Sequence, residues 1–152
     1  MNAAELAAYL ATHIPLTRAL GVEVLEVGPT AVELGAPLAP NRNHRQTAFG
    51  GSVSALAMLA GWGWLRARLD DRPSPPQLVI QRQDMEFLLP VDDAFRARCA
   101  EPEAAHWQRF ARALDARGRG RLELSVEVCC RERLVARFSG TYVAIAGGET
   151  AG

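Results

Sequence analysis

Apolar positions change period several times along this chain, and each change predicts an element. Leu6, Tyr9 and Leu10 recur at helical spacing and predict a helix over residues 3–12. Pro15 can open a second short helix that runs through Leu20 and stops at Gly21. Val22–Val27 and Thr30–Ala36 then read as strands separated by Gly28-Pro29. In the second, Val32, Leu34 and Ala36 alternate with Ala31, Glu33 and Gly35, so the two predict a hairpin. A polar loop, Asn41 through Thr47, follows. The next 17 residues, Phe49 to Leu65, carry no charge. That length touches the lower edge of a membrane span, about 17–25 residues, but four glycines and two serines dilute its hydrophobicity. A helix from Gly51 to Leu69 would place Val53, Leu56, Ala57, Ala60 and Trp64 on one face and Met58, Leu59, Trp62 and Leu65 on another. Such a helix is expected to be buried all round.

Asp70 through Pro76 reads as a linker, after which the period turns to two. Leu78–Leu89 is a long strand whose odd positions, Val79, Gln81, Gln83, Met85, Phe87 and Leu89, are less charged than Arg82, Asp84 and Glu86 opposite. Ala94–Ala100 is a further strand, and Pro102 opens a helical excursion over Glu103–Ala116. In Arg121–Val128, Leu122, Leu124, Val126 and Val128 face one way and Arg121, Glu123, Ser125 and Glu127 the other. Leu134–Ile145 closes the series after a turn at Glu132-Arg133. No βαβ alternation is visible. The pattern predicts an α+β domain, a curved antiparallel sheet of five to six strands wrapped around one buried central helix, because sheet and helix each need the other's apolar face.

Composition narrows the function. The chain has 152 residues with 49% apolar and 22% charged, which fits one domain over 1–152. The 17 basic residues balance the 17 acidic ones, so no nucleic-acid footprint is expected. All the basic residues are arginine, which excludes lysine Schiff-base chemistry, pyridoxal phosphate anchoring and a P-loop lysine. Cys99, Cys129 and Cys130 lack CxxC spacing, and His13, His44 and His106 are the sole histidines, so neither a metal site nor a disulfide framework is expected. Cys129 and Cys130 would point to opposite strand faces, so at least one is expected in the core. The opening Met1-Asn2-Ala3-Ala4-Glu5 has no basic stretch before an apolar run, which predicts no signal peptide, no membrane partner and a cytoplasmic protein.

The order of elements, with a glycine pair opening the central helix, resembles the hotdog fold of acyl-CoA thioesterases and acyl dehydratases. In particular it is similar to the thioesterase family of the YiiD C-terminal type. The residues that carry the likeness are Asn41-Arg42-Asn43, then Thr47-Ala48-Phe49-Gly50-Gly51-Ser52, then Leu59-Ala60-Gly61-Trp62-Gly63. Met85-Glu86-Phe87-Leu88-Leu89-Pro90-Val91 and Phe138-Ser139-Gly140-Thr141-Tyr142-Val143 extend it, so it runs from about Ile14 to Ile145. The resemblance implies hydrolysis of an acyl-CoA or acyl-carrier-protein thioester by water, with no cofactor, in a homodimer or dimer of dimers joined through the long strand. Other hotdog enzymes carry an acid two residues before Phe-Gly-Gly or nine after its first position, and here those places hold Thr47 and Met58.

Thioester hydrolysis builds negative charge on the carbonyl oxygen, and amides at a helix N-terminus are already aimed and partly positive. Gly50 and Gly51 are the candidates for that corner, although the pair would equally serve to pack or cap the helix. Water must also be oriented and deprotonated. No carboxylate stands between Ala48 and Leu69, which leaves the loop. His44 has the imidazole that general bases use, or is a solvated residue beside Arg42 and Arg45. Asn43 would hold water or the carbonyl, or else bond its own backbone in a turn. Thr47 and Ser52 would position water, or cap the helix. Catalysis is thus assigned to Asn43, His44, Thr47, Gly50 and Gly51, and substrate contact to Ser52, Met58, Gln81, Gln83 and Phe87. Ser54 lacks a His–Asp partner for a triad. Asp84 and Glu86 are expected to face outward, and Trp64 and Trp62 to lie in the core. Arg82 and Arg131 are candidates for the phosphates of CoA. With no acid at either customary place, a non-catalytic acyl-thioester or lipid-binding module is the alternative.

Overall fold

A computed structural model describes residues 1–147. Helices α1 (Ala3–His13) and α2 (Leu16–Leu20) lead into strands β1 (Glu23–Val27) and β2 (Ala31–Ala36). A 3₁₀ turn at Ala39–Asn41 then precedes helix α3 (Gly50–Leu69). Strands β3 (Gln77–Phe87) and β4 (Phe95–Ala100), helix α4 (Ala104–Arg117), and strands β5 (Arg119–Cys130) and β6 (Arg133–Ile145) complete the chain. The six strands form one sheet in the order β1-β2-β4-β5-β6-β3, antiparallel at every pairing. Its inner face packs on α3, with Leu56, Ala57, Ala60, Trp64 and Leu65 buried against Leu34, Ala97, Leu124 and Phe138. Alternation along β5 holds throughout: Leu122, Leu124, Val126 and Val128 are buried and the charged residues between them exposed. Cys130 is buried and Cys129 half-buried. The outer face carries a row of alternating charge across five strands, Glu86, Arg137, Glu127, Arg98 and Glu33, each opposite the next. Opposite charges paired across strands suit a solvated face, and Asp84 and Glu86 belong to it.

Three expectations need correction. The odd positions of β3 do not share one face, because the register with β6 slips between Ile80 and Arg82. The extra residue is Gln81. A one-residue bulge exchanges the two faces beyond it, so Leu78 and Ile80 pack inward before it and Met85 after it, while Val79 is exposed. The strand also ends at Phe87 rather than Leu89. Second, α3 is not buried all round: Ser54, Ala55, Met58 and Trp62 are half-buried and Gly51 exposed, a stripe along the β3 side. Third, the β5–β6 turn is centred on Arg131 and Glu132, not Glu132-Arg133.

That turn is strained. Arg131 and Glu132 both have positive φ, 51° and 60°, in a two-residue hairpin loop whose type I′ geometry favours Asn-Gly. Ion pairs hold it, Arg131 to Asp92 at 3.1 Å and Asp93 at 3.5 Å, and Glu132 to Arg96 at 2.8 Å. A non-glycine residue in the left-handed region costs about 1–2 kcal/mol, whereas an exposed ion pair gives back about 0–1. Glu132→Gly is therefore expected to stabilise the fold by about 1 kcal/mol and raise the melting temperature by roughly 2–4 °C. A fall would mean that the Arg96 pair outweighs the strain.

Candidate active site

Phe49 ends the loop and starts α3. Its φ of −60° and ψ of 132° are extended, and its carbonyl accepts from Ser52 N–H at 2.9 Å and Val53 N–H at 3.2 Å. Among the described residues, no group accepts from the N–H of Gly50 or Gly51. No side chain caps the helix, so the capping role considered for Thr47 and Ser52 is not seen. Two bare amides thus point out of the positive end of a 20-residue helix. Aromatic rings flank them. A Cβ on Gly50 would stand 3.3 Å from Cζ of Phe87, and one on Gly51 would overlap the ring of Phe49. Both rings are more than half exposed, at 57% for Phe87 and 60% for Phe49.

Backbone contacts fix the corner in place. Phe49 N–H donates to Asn41 O at 2.7 Å and Ala48 N–H to Val91 O at 2.8 Å, while Arg42 bridges to Ala48. Asn41 is buried, and its Nδ2 donates to Leu20 O and Pro37 O at 2.8 and 2.7 Å. Sequence reasoning quoted Asn41 within a motif and gave it no role. Its one signal was a position just after two closely spaced prolines, where a side chain that bonds backbone is useful.

The loop is organised by Asn43. Its Oδ1 accepts from Arg45 N–H at 2.8 Å and Thr47 N–H at 3.3 Å, and its Nδ2 donates to Thr47 Oγ1 at 3.1 Å. Asn43 N–H donates to Thr47 O at 2.8 Å, and Gln46 takes a positive φ of 63° to complete the turn. The Asn43 side chain is thus occupied with its own loop, and Thr47 is in the same network. His44 is exposed at the loop's tip. The structure brings Phe87 to Gly50 and Gln83 to α3, where Ser54 Oγ donates to Gln83 Oε1 at 2.9 Å. Gln81, at the bulge, is separated from Gln83, and Ser52 is buried. Met58 lies two helical turns from the corner on the half-buried stripe, Trp64 in the core, and Trp62 on the stripe, stacked with Tyr9 at 5.6 Å.

Electrostatics at this end of the molecule are one-sided. No Asp or Glu occurs between Glu33 and Asp70, and the carboxylates just beyond Val91, Asp92 and Asp93, are held by Arg131. Arg131 is therefore committed to that turn, and Arg82 lines the outer face. Strongly perturbed groups lie elsewhere. Burial pushes the Cys99 thiol up to about 12, and burial raises the Tyr142 hydroxyl as well. Two clefts of about 620 and 590 Å³ lie on the outer face, and neither is lined by the corner residues. Among the described residues, no cluster of His, Cys, Asp and Glu is arranged to hold a metal ion, and no helix is long and apolar enough to cross a membrane.

A six-stranded antiparallel sheet packed on a central helix is the hotdog fold, and the comparisons match it to structures described as putative thioesterases. Residues 3–146 match the family described as "Putative thioesterase (yiiD_Cterm)", and the chain belongs to it. A solved protein of unknown function from Chlorobaculum tepidum is 25% identical with a TM-score of 0.89, over 95% of this chain and 94% of that one. A structure described as a "putative thioesterase" from Shewanella oneidensis is 27% identical with a TM-score of 0.81, over 94% and 96%. A mutant of the phenylacetic acid degradation protein PaaI from Thermus thermophilus is 25% identical with a TM-score of 0.64, over 85% and 97%.

Proposed function

We propose that this chain hydrolyses an acyl thioester borne on phosphopantetheine, either coenzyme A or an acyl-carrier protein. The observation that carries the reading is the pair of unbonded N–H groups of Gly50 and Gly51 at the start of α3. The carbonyl oxygen accepts from them. Water oxygen bonds to the carbonyl carbon, the carbon–sulfur bond breaks, and the proton lost by water ends on sulfur, giving a carboxylic acid and a free thiol. The step is redox-neutral. His44 removes the proton, Asn43 holds the loop that carries it, and Thr47 orients the water. Arg42 and Arg45, in a segment without carboxylates, face the anionic carrier.

The functional unit of this reading is a homodimer. Among the described residues, strand β3 is an edge with one side unpaired, and Val79, Phe87, Leu89 and Phe49 are exposed apolar residues on or beside it. Two copies joined edge to edge would cover them together with the half-buried stripe of α3, and would wall the corner. A monomeric mass by light scattering at micromolar concentration would reject this.

The test of activity is thiol release from acyl-CoA esters of short, medium, long and aromatic acyl groups. Asn43→Ala is expected to lose most, because it dismantles the loop, and His44→Ala to lose about a hundred- to ten-thousandfold. Wild-type turnover in both would remove the loop from the mechanism. The absence of an acid at Thr47 and Met58 favours a second reading, a binding module. That protein would be stabilised against melting by acyl-CoA and release no thiol.

A further inference from the structure

Below the corner, one bond joins side chains across the seam between α3 and β3. Ser54 lies three residues beyond Gly51, about 4.5 Å deeper along the helix axis, and its hydroxyl donates to Gln83 Oε1 at 2.9 Å. Among the described residues this is the only bond between side chains of α3 and β3. Three local facts aim Gln83 there. The bulge at Gln81 turns position 83 toward the helix. Its neighbour across the ladder is Gly140, which offers no side chain to pack against. Ser54 then takes the carbonyl end of the amide, leaving the Nε2 protons without an acceptor among the described residues. Further along the same stripe come Met58 and Trp62, whose indole N–H closes onto Leu78 O at 3.4 Å. An acyl chain laid from Gly51 along this stripe would meet the Ser54–Gln83 pair, with Gln83 exposed, before Met58 and Trp62.

We propose that the Ser54–Gln83 pair determines acyl specificity: it selects a short acyl group, or one with an oxygen on its third or fourth carbon, against a plain long alkyl chain. The inference rests on the thioesterase reading. An oxygen at that depth accepts from Gln83 Nε2. A methylene chain there strips water from both polar groups and returns no bond, a loss of about ten- to a hundredfold in selectivity.

The experiment compares kcat/KM for butyryl-, 3-hydroxybutyryl- and dodecanoyl-CoA in the wild type, Ser54→Ala, Ser54→Thr and Gln83→Leu, with folding checked by melting. The wild type is expected to favour 3-hydroxybutyryl over dodecanoyl at least tenfold. Gln83→Leu should reverse that order mainly through KM, Ser54→Ala should weaken it, and Ser54→Thr, which keeps the hydroxyl, should retain it. A wild type equally fast on dodecanoyl-CoA, or variants that keep its order, would overturn the proposal. If no ester releases thiol, calorimetric Kd values for the same three esters decide. A ranking reversed by Gln83→Leu upholds the specificity role while the hydrolase reading fails, and equal or undetectable affinities overturn both.

Discussion

Gly50→Pro is expected to leave the fold intact and to cut thioester turnover about a hundred- to a thousandfold, the usual cost of one oxyanion donor. Backbone donors escape most substitutions, but this one can be removed. Gly50 is the first residue of α3, and its N–H has no acceptor among the described residues, so proline removes no hydrogen bond seen there. Phe49 before it already has ψ of 132°, the extended conformation that a following proline demands. The new ring atoms approach Phe87, an exposed side chain able to swing aside. Gly50→Ala is the control, since it meets the same ring and keeps the N–H. The expected pattern is near-wild-type melting in both and a large loss of kcat in proline alone. Equal turnover in all three proteins would show that the carbonyl is not held at Gly50.

How far the sequence disclosed this site follows from which signals are local. Strand β5 was legible because every inward position is apolar and every outward one polar, from Arg121 to Val128. The bulge in β3 was not. Gln81, Arg82, Gln83 and Asp84 are all polar, so no apolar residue marks where the faces exchange, and the slip falls opposite Tyr142 and Thr141 on the neighbouring strand. Helix α3 misled in the opposite sense. Its apolar residues surround the axis, and hydropathy does not separate those packed inside the protomer, such as Leu56 and Trp64, from those on the stripe beside an open edge, such as Met58 and Trp62. The β5–β6 turn was placed one residue late because Arg131-Glu132 has none of the chemistry of its geometry and is held by distant partners. At the corner, Phe49-Gly50-Gly51 was readable because bare amides at a helix start need residues that leave them accessible. Asn43 was readable only as two alternatives, since an amide that bonds backbone and one that bonds substrate look the same in sequence. Asn41 carried only the signal of its neighbouring prolines, because its acceptors, Leu20 O and Pro37 O, reveal nothing before folding.

The largest expected effect on stability is at Gly61, in the middle of α3. A Cβ there would stand 2.8 Å from Cζ of Tyr142 and overlap its hydroxyl oxygen. Tyr142 has no way to retreat. It is fully buried, pinned in β6 between Leu122 of β5 and Ile80 of β3, and its hydroxyl donates to Met58 O at 2.7 Å. Burial raises its titration, so the hydroxyl stays a neutral donor. Gly61→Val adds overpacking, about 1–3 kcal/mol, to the loss of a buried hydrogen bond, about another 1–3. Helix propensity gives back less than about 1 kcal/mol. The expected net cost is about 2–5 kcal/mol, against a typical domain stability of about 5–15, and the expected fall in melting temperature is about 4–20 °C. Gly61→Ala should lose part of this. Tyr142→Phe should lose only the hydrogen bond, and in doing so it clears the oxygen that the alanine methyl would strike. The double variant Gly61→Ala with Tyr142→Phe is therefore expected to be more stable than the two single costs add up to, a coupling that a thermal or urea double-mutant cycle measures directly. Strict additivity, or a Gly61→Ala protein that melts with the wild type, would show that the sheet yields at Tyr142 and that the helix, with the Met58 and Trp62 stripe it carries, is not clamped at this point.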